Sequence, residues 1–355
     1  MNVANGQIPA DYAAYIRSKM VFMVALSAGL VAAIILSIAL GAANLPVGAV
    51  AKSLLGMEVP RKIDIIVWNI RLPQSLAAIA AGIGLAVAGA SMQSILRNPL
   101  GSPFTLGMSH AAAFGAALSI TLFGSGKMTS TTVGAVAITN PYLTTASAFA
   151  FCLLAAMVIV AVSRLRGASP EVMVLTGVAL GALFTAGTMF LQYFADDTQL
   201  AAMVFWTFGD TARASWSEVG LLAAVATAAT VFFLANAWNY NAIDAGDETA
   251  KSLGVRVERV RMAGMLVASV VTATVISFLG IIGFVGLVVP HLVRRVIGSD
   301  HRYLLPATVA GGALLMVAAD TVARLLLAPH VLPVSVLTAF LGAPVFLWLI
   351  IGGRR

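Results

Sequence analysis

Residues 20–51 read M-V-F-M-V-A-L-S-A-G-L-V-A-A-I-I-L-S-I-A-L-G-A-A-N-L-P-V-G-A-V-A, with no charged side chain from Met20 to Ala51. About twenty apolar helical residues cross the roughly 30 Å hydrocarbon layer of a bilayer, so this run is long enough to span it. Its apolar residues are continuous rather than alternating, which is the pattern of a spanning helix and not of a barrel strand. The G-A-A-N segment near Gly41 resembles a leader cleavage site. The hydrophobic run before it exceeds the 7–15 residues of a signal core, and it reads as a retained first span.

The rest of the chain follows suit. Of 355 residues, 60% are hydrophobic and only 10% charged, against about a quarter charged in ordinary soluble domains. Apolar runs between polar breaks predict ten crossings, at 20–42, 73–96, 105–123, 142–163, 171–194, 216–236, 260–279, 281–297, 304–327 and 334–351. A shorter apolar piece, Thr198 to Phe208, lies between Asp196–Asp197 and Gly209–Asp210. It is too short to cross and reads as a half-inserted helix. The expected fold is all-α and polytopic, a single transmembrane domain over residues 1–355.

Ten crossings put both termini on one side. Fourteen of the 21 lysines and arginines fall there, from Arg17 and Lys19 to Arg354 and Arg355. The other side holds Lys52, Arg61, Lys62, Arg71, Lys127, Arg213 and Arg324. This bias predicts cytoplasmic termini. The net charge of +7 is spread between hydrophobic runs and forms no basic patch with interleaved aromatics, so nucleic acid is not an expected partner.

One polar island stands out. Asp244 to Arg261 reads D-A-G-D-E-T-A-K-S-L-G-V-R-V-E-R-V-R and carries eight of the 21 basic and 14 acidic side chains. Between two spans on the cytoplasmic side, it reads as a handle for a partner outside the bilayer, or more plainly as a solvated loop. Glycines at 177 and 181, and at 280, 283 and 286, suggest close helix packing.

Motifs for covalent chemistry fail on inspection. Gly124-S-G-K-M lacks the first glycine of a phosphate loop, where Thr121 stands, and has Met128 in place of the Ser/Thr that holds magnesium. His110, His291, His301 and His330 show no zinc-site spacing, and Cys152 is the only cysteine. No metal site, bound cofactor or enzymatic activity is expected of this chain.

Three ordered segments carry a family resemblance. They are Arg71-L-P-Q-S-L-A-A with G-A-S-M-Q-S-I-L-Arg97-Asn98-Pro99-Leu100-G-S-P-F-T-L-Gly107; Gly246-D-E-T-A-K-S-L-Gly254; and Gly283-F-V-G-L-V-V-Pro290-His291-L-V-R-R with Asp300-His301-Arg302, Ala319-Asp320 and Leu341-Gly342-Ala343-Pro344. The chain resembles the FecCD-type permeases, membrane subunits of ABC importers for iron-siderophores, haem and cobalamin. The resemblance implies a homodimer in the cytoplasmic membrane of a bacterium or archaeon, two ABC ATPase subunits that bind ATP and magnesium, and a periplasmic or surface substrate-binding protein. An ion-coupled secondary transporter is the alternative; it would need intramembrane ionisable groups, for which only Asp320 and His110 are candidates.

The same resemblance implies roles. Asp244, Gly246, Asp247, Glu248, Lys251, Leu253 and Gly254 would couple to the ATPase. Asn98, Leu100, Ser169 and Pro170 would form a cytoplasmic gate, although Pro170 and Glu171 replace small hydroxyl residues of a relative. Arg71 and Arg324 would dock the binding protein, with snorkelling at the membrane edge as the plainer reading. A third docking arginine is here Gln74, for which Arg61 or Lys62 could compensate; Val331 and Ser335 also depart from the family pattern near the outer mouth. His110, Tyr193, Phe194 and Trp206 are candidates for the translocation path, with packing or an interfacial aromatic belt as the alternatives.

Overall fold

The computed structural model describes residues 10–41, 44–123, 126–128, 136–138, 141–328 and 330–352. Gly124, Arg354 and Arg355, used above, lie outside the described residues. In chain order the elements are α1 (Ala10–Ala39), α2 (Val47–Leu54), α3 (Arg61–Ile66), α4 (Leu72–Ile95), α5 (Met108–Phe123), β1 (Gly126–Met128), β2 (Val136–Ile138), α6 (Pro141–Arg164), α7 (Pro170–Phe194) and α8 (Asp197–Thr207). Then follow α9 (Trp216–Ala235), α10 (Ala237–Asp244), α11 (Asp247–Ser252), α12 (Val257–Leu279), α13 (Val285–Ile297), α14 (His301–Leu326) and α15 (Val334–Gly352).

Small side chains decide which helix sits in the middle. α4 is built mostly from Ala, Gly and Ser, and 20 of its 24 residues are buried. Without bulk to hold neighbours off, it packs against α9, α12, α13 and α14 together. At the α14 crossing Gly82 and Gly312 meet backbone to backbone, and a Cβ on either would collide with the other's carbonyl. Close approach of this kind replaces the hydrophobic effect as the source of helix association in lipid. Two buried clusters share α4, one reaching α5, α6 and α12 and the other α13 and α14.

Helices cover all ten expected spans, to differing lengths. Seven helices, α4 with its N-terminal extension among them, are long and apolar enough to cross a membrane, and α5 and α15 are shorter apolar helices. α13 makes the tenth, preceded by an irregular stretch at 280–284. The expected half-inserted helix is α8. Its start is fixed by a capping box, Asp196 Oδ1 accepting from Gln199 N at 2.8 Å while the Gln199 side chain accepts from Asp196 N.

The second span differs from its expected start at 73. It begins at Arg61 and runs through a π-helical turn, Val67–Arg71, into α4. The glycines at 280, 283 and 286 are not one packing stripe. Gly280 ends α12 with φ 81° and packs against the carbonyls of Phe208 and Trp206, Gly283 has open space around it, and Gly286 packs against Leu85 and Gly89. A short ribbon of β1 and β2, antiparallel with Lys127 opposite Ala137, lies against α8.

α1 near its start and α15 near its end reach the face that carries α10 and α11, the handle face. Lys19 Nζ of α1 lies 4.4 Å from the Tyr303 ring at the start of α14, and Arg295 at the end of α13 stacks over Trp348 of α15 at 4.5 Å.

Candidate functional site

The handle is a helix short enough to need special backbone at both ends. Gly246 with φ 113° precedes α11 and Gly254 with φ 83° follows it, a region that L side chains rarely enter. Asp247 and Glu248 occupy the first turn and Lys251 the last, the order that the helix dipole favours. Lys251 Nζ donates to Glu248 Oε1 at 2.9 Å, and this hydrogen bond raises the lysine pKa. Ala250 is buried, while Leu253 is 69% exposed.

Two sets of polar contacts fasten the handle to the spans. Arg261, one turn into α12 and only 2% exposed, holds the Asp247 carboxylate through three contacts of 3.0–3.2 Å. Its Nε donates to Ile95 O at 2.8 Å, at the end of α4, and its Nη1 to Ala168 O at 3.2 Å, in the turn before α7. On the other flank His301 Nε2 lies 3.1 Å from Asp244 Oδ2 and 2.9 Å from Ser94 Oγ. Asn241 Nδ2 donates to Asp300 Oδ1 at 2.9 Å and Asn241 Oδ1 accepts from His301 N at 2.8 Å, joining α10 to the start of α14. The Arg302 guanidinium hydrogen-bonds the Asp300 carboxylate, and with Asn241 it holds that carboxyl far below the usual range.

The expected gate residues sit on two turns beside this knot. Arg97 takes a left-handed backbone, φ 47°, and Asn98 Oδ1 accepts from Leu100 N at 2.9 Å, closing the turn. In the second turn Gly167 and Ala168 are both left-handed, Ser169 caps α7, and its hydroxyl bonds to Glu171. Ser169 and Pro170 line one cleft with Arg97, Asp247 and Arg261. Asn98 lines the adjoining one with Asp244 and Arg294, and Leu100 is exposed beside them.

On the opposite face the two expected docking arginines are turned inward. Arg71 is 4% exposed and Arg324 8%, so neither presents its charge to a partner here, and both expectations are corrected. Arg71 Nη1 donates to Ile38 O and Ala39 O at 2.6 and 2.7 Å, satisfying the last carbonyls of α1. Arg324 Nη2 donates to Ser37 Oγ at 2.7 Å and forms an ion pair with Asp320 Oδ2 at 3.0 Å. Gln74 Nε2 donates to Asp320 Oδ1 at 3.0 Å, and the Thr211 hydroxyl donates to the same oxygen. Asp320 is therefore a buried carboxylate with Arg324 as its counter-charge, the usual arrangement for an ionisable group inside a span. Among the described residues, exposed cations on this face are Lys52, Arg61 and Lys62, on α2 and α3, and Arg213 after α8.

Of the path candidates, His110, Tyr193 and Phe194 are exposed and Trp206 is not. His110 Nδ1 lies 3.2 Å from Thr185 Oγ1, beside Gly181 on α7. Trp206 is packed in the core, because Arg213 turns back to donate to Trp206 O and Phe205 O and draws the end of α8 inward.

Comparison with known proteins places this bundle of apolar helices, with its polar handle knotted to two turns, among transport permeases of the ABC class. The chain belongs to the FecCD transport family, whose sequence model matches residues 29–352. It is 52% identical to a candidate ABC transporter permease protein of Methanocaldococcus jannaschii, over 97% of this chain and 98% of that one. It is 36% identical to the hemin transport system permease protein of Yersinia pestis, over 92% of this chain and 96% of the other. Its fold is similar to an inward-facing conformation of a candidate metal-chelate type ABC transporter, with a TM-score of 0.80, 29% identity, and coverage of 93% of this chain and 98% of that one.

Proposed function

We propose that this chain is the membrane subunit of a binding-protein-dependent importer that moves a metal chelate, an iron-siderophore, haem or cobalamin, into the cytoplasm by alternating access. Two copies form the pathway, two ABC ATPases grip the handles from the cytoplasm, and a binding protein delivers cargo to the opposite face. ATP and magnesium bind the ATPases. The observation that carries this reading is α11, with its glycine-bracketed ends, its exposed Leu253 and its attachment to both gate turns. The excess of lysine and arginine on the handle face supports cytoplasmic termini, and the hemin permease supports a metal-chelate cargo by likeness.

Three finer assignments belong to the same proposal. The turns at Asn98–Leu100 and Ser169–Pro170 are the cytoplasmic gate. The face shared by α5 and α7 lines the path: an exposed ionisable group such as His110 faces a cavity or partner rather than lipid, with Tyr193 and Phe194 further along. Binding-protein docking falls to the exposed Arg61, Lys62 and Lys52, while Arg71 and Arg324 hold the scaffold behind them.

The test is reconstitution in liposomes with the ATPase and binding protein. Vanadate should abolish uptake, and Ala250→Pro should abolish both uptake and co-purification of the ATPase. Uptake at full rate by the purified chain alone would refute the proposal.

A further inference from the structure

Arg261 does more than close a helix end. Among the described residues, Arg71, Arg213 and Arg261 each donate to the last carbonyls of a helix, α1, α8 and α4 respectively. The carbonyl bonds of Arg71 and Arg213 each reach one helix end. Arg261 instead joins three separate segments, through Ile95 O, Ala168 O and the Asp247 carboxylate. A planar guanidinium suits this, because its donors point in fixed and different directions and it keeps its charge when buried.

The chain distances from these bonds to the gate turns are short. Ile95 is three residues before Asn98, and Ala168 is the residue before Ser169. Both turns also contain a non-glycine residue in left-handed backbone, Arg97 at φ 47° and Ala168 at φ 55°. Such backbone persists only where its surroundings hold it, and it is a common feature of segments that switch. Arg261 is part of those surroundings for both turns. The Asp247 carboxylate also has Arg97 Nη1 at 3.9 Å, so the same acid faces the first turn directly.

We propose that Arg261 is a positioning residue that transmits displacement of α11 to both gate turns at once. When the handle moves, Asp247 carries the guanidinium with it, and the bonds to Ile95 O and Ala168 O oblige the two turns to follow together. With the link cut, the handle moves and the turns no longer respond in concert. This inference rests on the reading of α11 as the ATPase-coupling helix.

The test uses the complex with its ATPase in nanodiscs and a charged methanethiosulfonate reagent as the probe. Leu100→Cys and Ser169→Cys, one per sample, report the two turns, since the native Cys152 is buried. With Arg261 present, trapping by ATP and vanadate should change the labelling rate at both positions at least fivefold. With Arg261→Gln the change should fall below twofold at both. Arg261→Lys keeps the charge beside Asp247 and cannot span three segments; it should assemble with the ATPase and still lose the paired response, which a purely structural role would not produce. A fivefold response retained in Arg261→Gln or Arg261→Lys overturns the relay. Should Arg261→Gln not assemble, Asp247→Asn takes its place, with the same loss expected and retention again overturning the proposal. Ala250→Pro separates the two ideas. If it too responds normally, the coupling-helix reading fails; if it alone loses the response, only the relay fails. No response in the unmutated protein overturns both.

Discussion

Replacing Asp320 with asparagine isolates the charge in the buried network of the far face. The asparagine carbonyl can still accept from Gln74 Nε2 and the Thr211 hydroxyl, so those hydrogen bonds survive. What disappears is the negative partner of Arg324, 3.0 Å away and 8% exposed. At an effective dielectric of about 20, two unit charges at that distance attract by about 5 kcal/mol before desolvation. Breaking a buried pair by removing one partner costs about 3–5 kcal/mol in measured cases. At about 2 °C per kcal/mol for a large chain, Asp320→Asn should lower the melting temperature by about 6–10 °C. Cys152, the only cysteine in the chain and buried in α6, supplies the assay, since a thiol-reactive fluorophore reaches it only on unfolding. Asp320→Asn/Arg324→Gln should lose less than the two single variants added together, by about 1–3 kcal/mol of coupling. A shift under about 2 °C for Asp320→Asn, or strict additivity in the double variant, would refute the view that this buried ion pair within α14 stabilises the fold.

Gly82→Val should place a side chain against the Gly312 carbonyl and destabilise the bundle by about 1–3 kcal/mol or more. Gly220→Ala, which meets open space, should leave the same thiol-accessibility melt unchanged. Leu253→Asp should abolish co-purification of the ATPase while the melt stays within about 0.5 kcal/mol of the parent, as for other surface changes. The Asp300 carboxyl is held low by Arg302 and Asn241. Its stabilising effect is therefore complete above the ordinary carboxylate value of about 3.9 and is lost only as the pH falls through the depressed folded value. Asp300→Asn should accordingly melt below the parent at pH 7 and at pH 5 alike, with the gap narrowing only below about pH 4.

The spans were legible because bilayer crossing depends on hydrophobicity summed over some twenty residues, which tolerates local irregularity. The short α8 was legible from the polar breaks at its two ends, Asp196–Asp197 and Gly209–Asp210, of which Asp196 is its capping residue. Burial of single polar side chains was not legible. Arg71 and Arg324 look like edge charges in the sequence, yet Arg71 reaches Ile38 and Ala39 of α1, and Arg324 reaches Ser37 of α1 besides Asp320 in its own helix. Trp206 looks like a path aromatic until Arg213 folds the end of α8 into the core. Arg261 is one charge among eight in the handle region, and its contacts at Ile95 and Ala168 lie 166 and 93 positions away. No local periodicity encodes contacts at that range. The handle itself was visible because it is a compositional event, a polar island between two apolar runs.

α4 has a mechanical consequence. Helices that touch an almost featureless rod through their main chains have no side-chain gears to slip past one another. Any tilt within the bundle would open gaps that nothing nearby could fill. The bundle should therefore rock as a rigid block, leaving its joints to supply the motion.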